Sequence, residues 1–236
     1  MEQILSGLVS RLQSAFGDGL TSVVLYGSAT VGDWNESSSD LNILCVLKCL
    51  TPHELVQSEP VFRWWREQGN PPPLLMSAEE VRSCTDCFPM EFHDIKEHRR
   101  ILQGSDIIRD LEIDHSFYRA QVEHELRVKQ IRLRQKAAEL FSRPQELLKL
   151  LVDSISTFCV LGRHALILSG HEPRWKKREI IAALEDVLRR PLDGANAILT
   201  VRSGPKPPRD ANAALIFERY LSEINELVRF VDALDR

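Results

Sequence analysis

The chain has 236 residues, long enough for one large domain or two small ones. Its 43% hydrophobic content supports a proper core and its 27% charged residues are ordinary for a globular protein, while a net charge of −4 argues against a general coat for nucleic acid. The opening Met1-Glu2-Gln3-Ile4 lacks the basic and apolar regions of a secretion signal, and five cysteines without framework spacing fit a reduced compartment, so a cytoplasmic setting is expected.

Leu5, Leu8, Val9, Leu12 and Phe16 recur at helical spacing and predict an amphipathic helix over residues 2–16, stopped by Gly17-Asp18-Gly19. The apolar run Val23-Val24-Leu25-Tyr26 predicts a strand that ends at Gly27-Ser28. A loop rich in Asp, Asn, Glu and Ser follows. Leu41 to Leu47 then predicts a second strand, with Asp40 and Asn42 at alternate positions near its start. Thr51-Pro52-His53-Glu54 is a capping box with proline at the first helical position, opening a helix to about Gln68. Gly69-Asn70-Pro71-Pro72-Pro73 breaks the chain, Leu74-Leu75-Met76 predicts a short strand, and Ser77-Ala78-Glu79-Glu80 caps a short helix that fades near Cys84. Phe88 to Ile95 alternates and predicts a strand, with Glu91 and His93 on one face and Met90, Phe92 and Asp94 on the other.

From about Asp114 helical patterns take over: 115–141, 145–169, 176–189, a short 192–201, and 211–234, the last with Ile216, Tyr220, Ile224, Leu227 and Val231 on one face. A Gly/Pro-rich loop spans 202–209. The most apolar segment, Leu147 to Leu168, is interrupted by Lys149, Asp153, Arg163 and His164, which argues against a membrane span. The fold class is therefore α+β, a small mixed-sheet domain over residues 1–110 followed by an all-α antiparallel helical bundle over 111–236, with the boundary near 104–114.

The chemistry gathers at two strand ends. Gly27 lets backbone approach a ligand where a Cβ would clash. Ser28 offers a hydroxyl and an N–H to phosphate oxygens. Asp40 is a hard oxygen ligand suited to Mg²⁺ held jointly with a nucleotide's phosphates; its other reading is a loop carboxylate accepting backbone N–H bonds. At these residues, Leu25-Tyr26-Gly27-Ser28-Ala29 and Ser39-Asp40-Leu41-Asn42-Ile43-Leu44, the chain resembles the nucleotidyltransferase superfamily that includes polymerase β and kanamycin nucleotidyltransferase. A sheet domain followed by a bundle also resembles the kanamycin nucleotidyltransferase layout.

The resemblance implies two aspartates at alternate strand positions, a third carboxylate from a later strand, and transfer of a nucleoside monophosphate from an NTP by Mg²⁺ (or Mn²⁺), with pyrophosphate leaving. It makes Gly27, Ser28 and Ser39 the nucleotide-binding residues, Asp40, Asn42 and Glu91 the metal ligands, and Asp40 and Glu91 the catalytic pair. This chain departs from the pattern at Asn42, a neutral amide where the second carboxylate belongs. Such a site works with one metal, works weakly with the triphosphate supplying charge, or only binds nucleotide. For the third carboxylate, Glu91 is favoured over Asp94 because it lies on the polar strand face; it serves as metal ligand, as base, or as a partner of His93.

Other motifs have blander readings. Cys84-Thr85-Asp86-Cys87 reads as a connector, and Cys45, Cys49 and Cys159 as core or near-core residues. Arg119, Arg127, Lys129, Arg132, Arg134 and Lys136 crowd one helix. Arg119, Glu123 and Arg127 read as an ion-pair ladder, the alternative being bases that hold triphosphate or an anionic acceptor. Arg119 and His124 also resemble the short motif of the HEPN ribonucleases.

The leading expectation is an enzyme joining a nucleoside monophosphate to a hydroxyl on a small molecule, protein or RNA end, with inner faces of the bundle forming the acceptor site. The alternative is a degenerate nucleotidyltransferase that binds nucleotide or a partner protein without turnover, and the third reading is a ribonuclease bundle. No membrane and no long nucleic acid are expected as partners; a homodimer stays open.

Overall fold

The structure, a computed structural model, describes residues 1–32, 40–204 and 212–234. They form two compact units, Met1–Ser116 and Phe117–Arg236.

The first unit runs α1 (Glu2–Phe16), β1 (Leu20–Tyr26), β2 (Asn42–Leu47), α2 (Pro52–Glu67), β3 (Leu74–Ser77), α3 (Ala78–Ser83), α4 (Pro89–Glu97) and β4 (Arg99–Gly104). The sheet order is β3-β2-β1-β4. β1 is antiparallel to both neighbours, and β2 and β3 are parallel, so the sheet is mixed. Both faces are covered. Val23, Leu25, Ile43 and Cys45 pack against Leu5, Leu8 and Leu12 of α1 and Val61 and Trp65 of α2. Val24, Leu44 and Val46 pack against Val81, Phe92, Ile95 and Ile108. Burial on both faces explains why the two central strands read as continuous apolar runs.

Local signals act where the sequence puts them. Thr51 Oγ1 accepts the His53 N–H at 3.2 Å while Glu54 accepts the Thr51 N–H at 2.8 Å. Ser77 and Glu80 close the second box, with N–H to oxygen distances of 2.7 and 3.1 Å. Gly104 ends β4 with φ +79°, and a Cβ there would lie 2.1 Å from the Thr21 carbonyl oxygen, so the sheet edge closes only over a glycine.

One predicted strand is a helix. Residues 89–95 belong to α4, which Phe88 precedes and whose first helical position is Pro89, where a missing N–H is harmless. Its buried residues, Pro89, Met90, Phe92 and Ile95, follow a helical stripe that mimics alternation only over Phe88, Met90 and Phe92. The fourth strand is instead Arg99–Gly104. Its apolar neighbours Ile101 and Leu102 pack on opposite sheet faces, so it shows no alternation. Cys49 also differs from expectation: it is exposed, because β2 ends at Leu47 and the chain leaves the sheet.

Among its described residues the second unit has only helices: α5 (Tyr118–Ala138), α6 (Pro144–Leu168), α7 (Lys177–Leu188), α8 (Asp193–Ser203) and α9 (Ala213–Ala233). α6 is its centre and packs on each of the other four. By length and composition α6 could cross a membrane; here its apolar stripe, from Leu147 through Leu151, Ile155 and Phe158 to Leu166, is buried in the bundle. Two of the polar residues that interrupt this helix lie inside the bundle. Arg163 is buried with its guanidinium 4.4 Å from the Trp175 ring centre, and His164 Nδ1 lies 2.5 Å from the Tyr118 hydroxyl. On α9, buried Glu223 accepts two N–H groups of the first turn of α8, from Gly194 at 2.6 Å and Ala195 at 2.9 Å. A Cβ on Gly194 would sit 2.5 Å from the Tyr220 nitrogen, so α8 starts in backbone contact with α9.

Candidate functional site at the end of the first strand

β1 ends at Tyr26 and the chain turns at once. Gly27 has φ +80°, a conformation that L side chains adopt only under strain, and a Cβ there would lie 2.8 Å from Asn42 Nδ2. A 3-10 turn, Gly27–Thr30, follows, with Thr30 Oγ1 2.7 Å from the Gly27 carbonyl and 3.3 Å from the carbonyl of His98, the residue that ends α4. One hydroxyl thus ties the Gly27-Ser28 turn to itself and to the junction of α4 and β4.

Across the ladder, Asn42 pairs with Tyr26. Leu41, just before it, packs into the core of α1 and α2, whereas Leu44 and Val46 face α4. Asn42 therefore belongs to the α4 face, and exposed Asp40 lies two residues ahead of the strand. The Leu41 N–H donates to Asn70 Oδ1 at 3.0 Å. Asn70 is only 8% exposed, so this bond fixes the backbone between Asp40 and Asn42 ahead of the ladder. Ser39 lies outside the described residues.

Glu91 reaches the neighbourhood from a helix, in the exposed first turn of α4, correcting its expected strand placement. Burial pushes the Tyr26 phenol above its usual pKa, and the Glu91 carboxylate raises it further. The charge of Glu91 is thus felt at the last residue of β1. Helical geometry also removes the argument separating Glu91 from Asp94, because residues three apart on a helix are neighbours, about 5–6 Å between Cβ atoms. Asp94 is half-buried, 3.6 Å from His93 Nδ1.

The structure thus brings Gly27, Tyr26 and Asn42 together, with Glu91 acting electrostatically on Tyr26. By chemistry, the Asp40 and Glu91 carboxylates and the Asn42 amide carbonyl are hard oxygens, a kind that suits Mg²⁺ and not a thiophilic metal. Sequence reasoning passed over Thr30, Asn70 and His98. Asn70 had one local signal, its place between Gly69 and three prolines; Thr30 and His98 had none.

The remaining candidates have ordinary places. Cys84 is half-buried and exposed Cys87 donates its N–H to the Cys84 carbonyl in a turn. Arg119 and Arg127 flank Glu123 at 2.9 and 2.7 Å, so the ladder is formed. Arg119 also approaches the Val231 carbonyl, at 3.4 Å, whereas His124 is exposed.

No family model matches the sequence, and no curated protein matches it. In three dimensions it is similar to spectinomycin adenyltransferase AAD(9) from Enterococcus faecialis, solved with ATP and spectinomycin. The TM-score is 0.59 at 14% identity, over 94% of this chain and 98% of that one. The likeness shows the fold: a nucleotidyltransferase fold with a small mixed-sheet domain and a helical C-terminal part.

Proposed function

We propose that this nucleotidyltransferase-fold chain transfers a nucleoside monophosphate from an NTP to a hydroxyl group of a small molecule. The observation that carries the proposal is the packing of Gly27 against Asn42, which sets a left-handed Gly-Ser turn beside the strand start bearing Asp40. The ATP and spectinomycin of the similar structure support a nucleotide and a small acceptor, and make ATP the first NTP to test. Protein or RNA-end acceptors are the less supported variants of the same reaction.

The left-handed backbone of Gly27 turns the chain beside Asn42, and Ser28, next in the turn, donates its hydroxyl and N–H to phosphate oxygens. Asp40, Asn42 and Glu91 would hold Mg²⁺, which when bound neutralises phosphate charge. Glu91 is the carboxylate able to take the proton of the acceptor hydroxyl. The acceptor oxygen bonds to the α-phosphorus as the bond to the bridging oxygen of pyrophosphate breaks. Thr30 and Asn70 do no chemistry; they hold the turn and the Asp40–Asn42 backbone in place.

The test is incubation of the whole chain with ATP, CTP, GTP and UTP, Mg²⁺ and pools of hydroxylated small molecules. Pyrophosphate should form with one nucleotide–acceptor pair and disappear in Asp40→Ala. Absence of pyrophosphate with every pair would refute the reaction.

A second reading, nucleotide binding without turnover, is favoured by Asn42 itself, an amide with no charge to give a metal. It predicts NTP affinity that changes little when EDTA is added, which calorimetry measures.

A further inference from the structure

The basic residues of α5 divide between two faces. Arg119 and Arg127 are spent on Glu123. Lys129, Arg132 and Lys136 recur three and four residues apart, and about 200° separate Lys129 from Arg127 around the helix. These three line a cavity of about 250 Å³ between α5 and α6, facing Asp153, Ser154 and Thr157. Leu133 and Phe158 also line it.

The charges do not cancel. Lys129 is partly matched by Glu125 at 3.4 Å. Among the described residues, Arg132 and Lys136 form no ion pair. Asp153 is the single carboxylate in the lining, against three cations. From Lys129 to Lys136 the helix rises about 10 Å, a span that suits an anion with several charged oxygens better than a lone halide. Arg132 supplies a planar fork for phosphate oxygens, the lysines supply point charges, and Thr157 a hydroxyl.

We infer that the cleft between α5 and α6 is a binding site for a small phosphate-bearing molecule, with Arg132 and Lys136 as its principal cations. The size of the cavity matches a diphosphate or a compact phosphorylated metabolite, which share this chemistry. Asp153 opposes the ligand from the facing wall and sets a ceiling on affinity. This site is built within the second unit and is independent of the nucleotide reading given to the first.

The experiment is a calorimetric titration of the whole chain with inorganic pyrophosphate and with inorganic phosphate, at low salt in EDTA. Because the turn at Gly27 could also take pyrophosphate, the readout is the difference between variants. Arg132→Gln with Lys136→Gln should weaken binding at least tenfold, whereas Arg134→Gln, on the same helix outside the cavity, should leave it unchanged. Asp153→Asn should tighten it severalfold, a gain that no folding defect produces. Tighter binding of pyrophosphate than of phosphate supports the diphosphate-sized ligand; the reverse order supports a monophosphate. Equal titration of the double variant and the natural chain, or no gain in Asp153→Asn, would overturn the inference. So would binding of a ten-nucleotide single-stranded RNA without response to pyrophosphate or phosphate.

Discussion

The side-chain nitrogen of Asn42 sits 2.8 Å from the point where a Cβ on Gly27 would be, so two strand ends meet with no room for a methyl group. The amide oxygen of Asn42 is not among the three atoms nearest that point. Backbone conformation and side-chain contact both exclude anything larger at residue 27, for different reasons. The two can be separated by experiment.

Gly27→Ala should lower stability by about 1–2 kcal/mol through its left-handed backbone. Adding Asn42→Ala should return only the part due to the contact. Thermal melts of the single and double variants measure the split. Pyrophosphate release should fall in Gly27→Ala even where the chain remains folded.

Asn42→Asp should tighten Mg²⁺ binding by about tenfold, because a charged oxygen replaces a neutral one in a hard-ligand set. The new charge also faces the side of the sheet where Glu91 acts. In EDTA the variant should therefore melt below the natural chain, and Mg²⁺ should close the gap. Calorimetric Mg²⁺ titration and melts with and without EDTA test both halves.

Glu91→Gln should move the Tyr26 phenol back toward its ordinary pKa. The return should be incomplete, since burial is the larger cause and remains. Alkaline titration followed by phenolate absorbance, with Tyr26→Phe to identify the signal, reads this out. An unchanged Tyr26 titration would show that the Glu91 charge does not reach β1.

Two carboxylates should give opposite pH slopes. Asp106 accepts both arms of Arg99, at 2.9 and 2.8 Å, and this pairing holds its pKa below the usual range. Its contribution is present above the unfolded pKa of about 3.9 and is lost as pH falls through the lower folded value. Asp106→Asn should cost about 1–2 kcal/mol near neutrality and nothing in strong acid. Glu223 is the reverse: burial raises its pKa despite two N–H donors. Its contribution is full below the unfolded value of about 4.3 and declines as pH rises through the raised one. Glu223→Gln should flatten that decline in urea melts run from pH 4 to 8, while removing one of the two bonds to α8.

Much of the first unit was legible because its signals are local. Both capping boxes name their own partners three residues away, and helix α1 announces itself by apolar spacing. The Gly-Ser turn and Asp40 could be placed because strand ends follow apolar runs. Residues 88–95 misled because a nine-residue helix offers so few turns that three apolar positions fit either period. β4 was invisible for the opposite reason: with Ile101 and Leu102 covered on opposite faces, it has no polar side to alternate with. Asn70 and Thr30 act through backbone groups 29 and 68 residues away in sequence, at Leu41 and His98, and no spacing rule spans such distances. In the bundle, the buried positions of Arg163 and His164 depend on Trp175 and Tyr118, partners supplied by tertiary packing.

The outermost strands of the sheet have a consequence for the crowded chain during synthesis and storage. β3 is four residues long, and β4 opens with two arginines held down, Arg99 by Asp106 and Arg100 by Glu2 at 2.8 Å. A foreign strand docking beside β4 would have to displace or desolvate two fixed ion pairs, and one docking beside β3 would find few rungs to zip onto. Fibril growth by lateral recruitment is therefore discouraged at both flanks of the sheet.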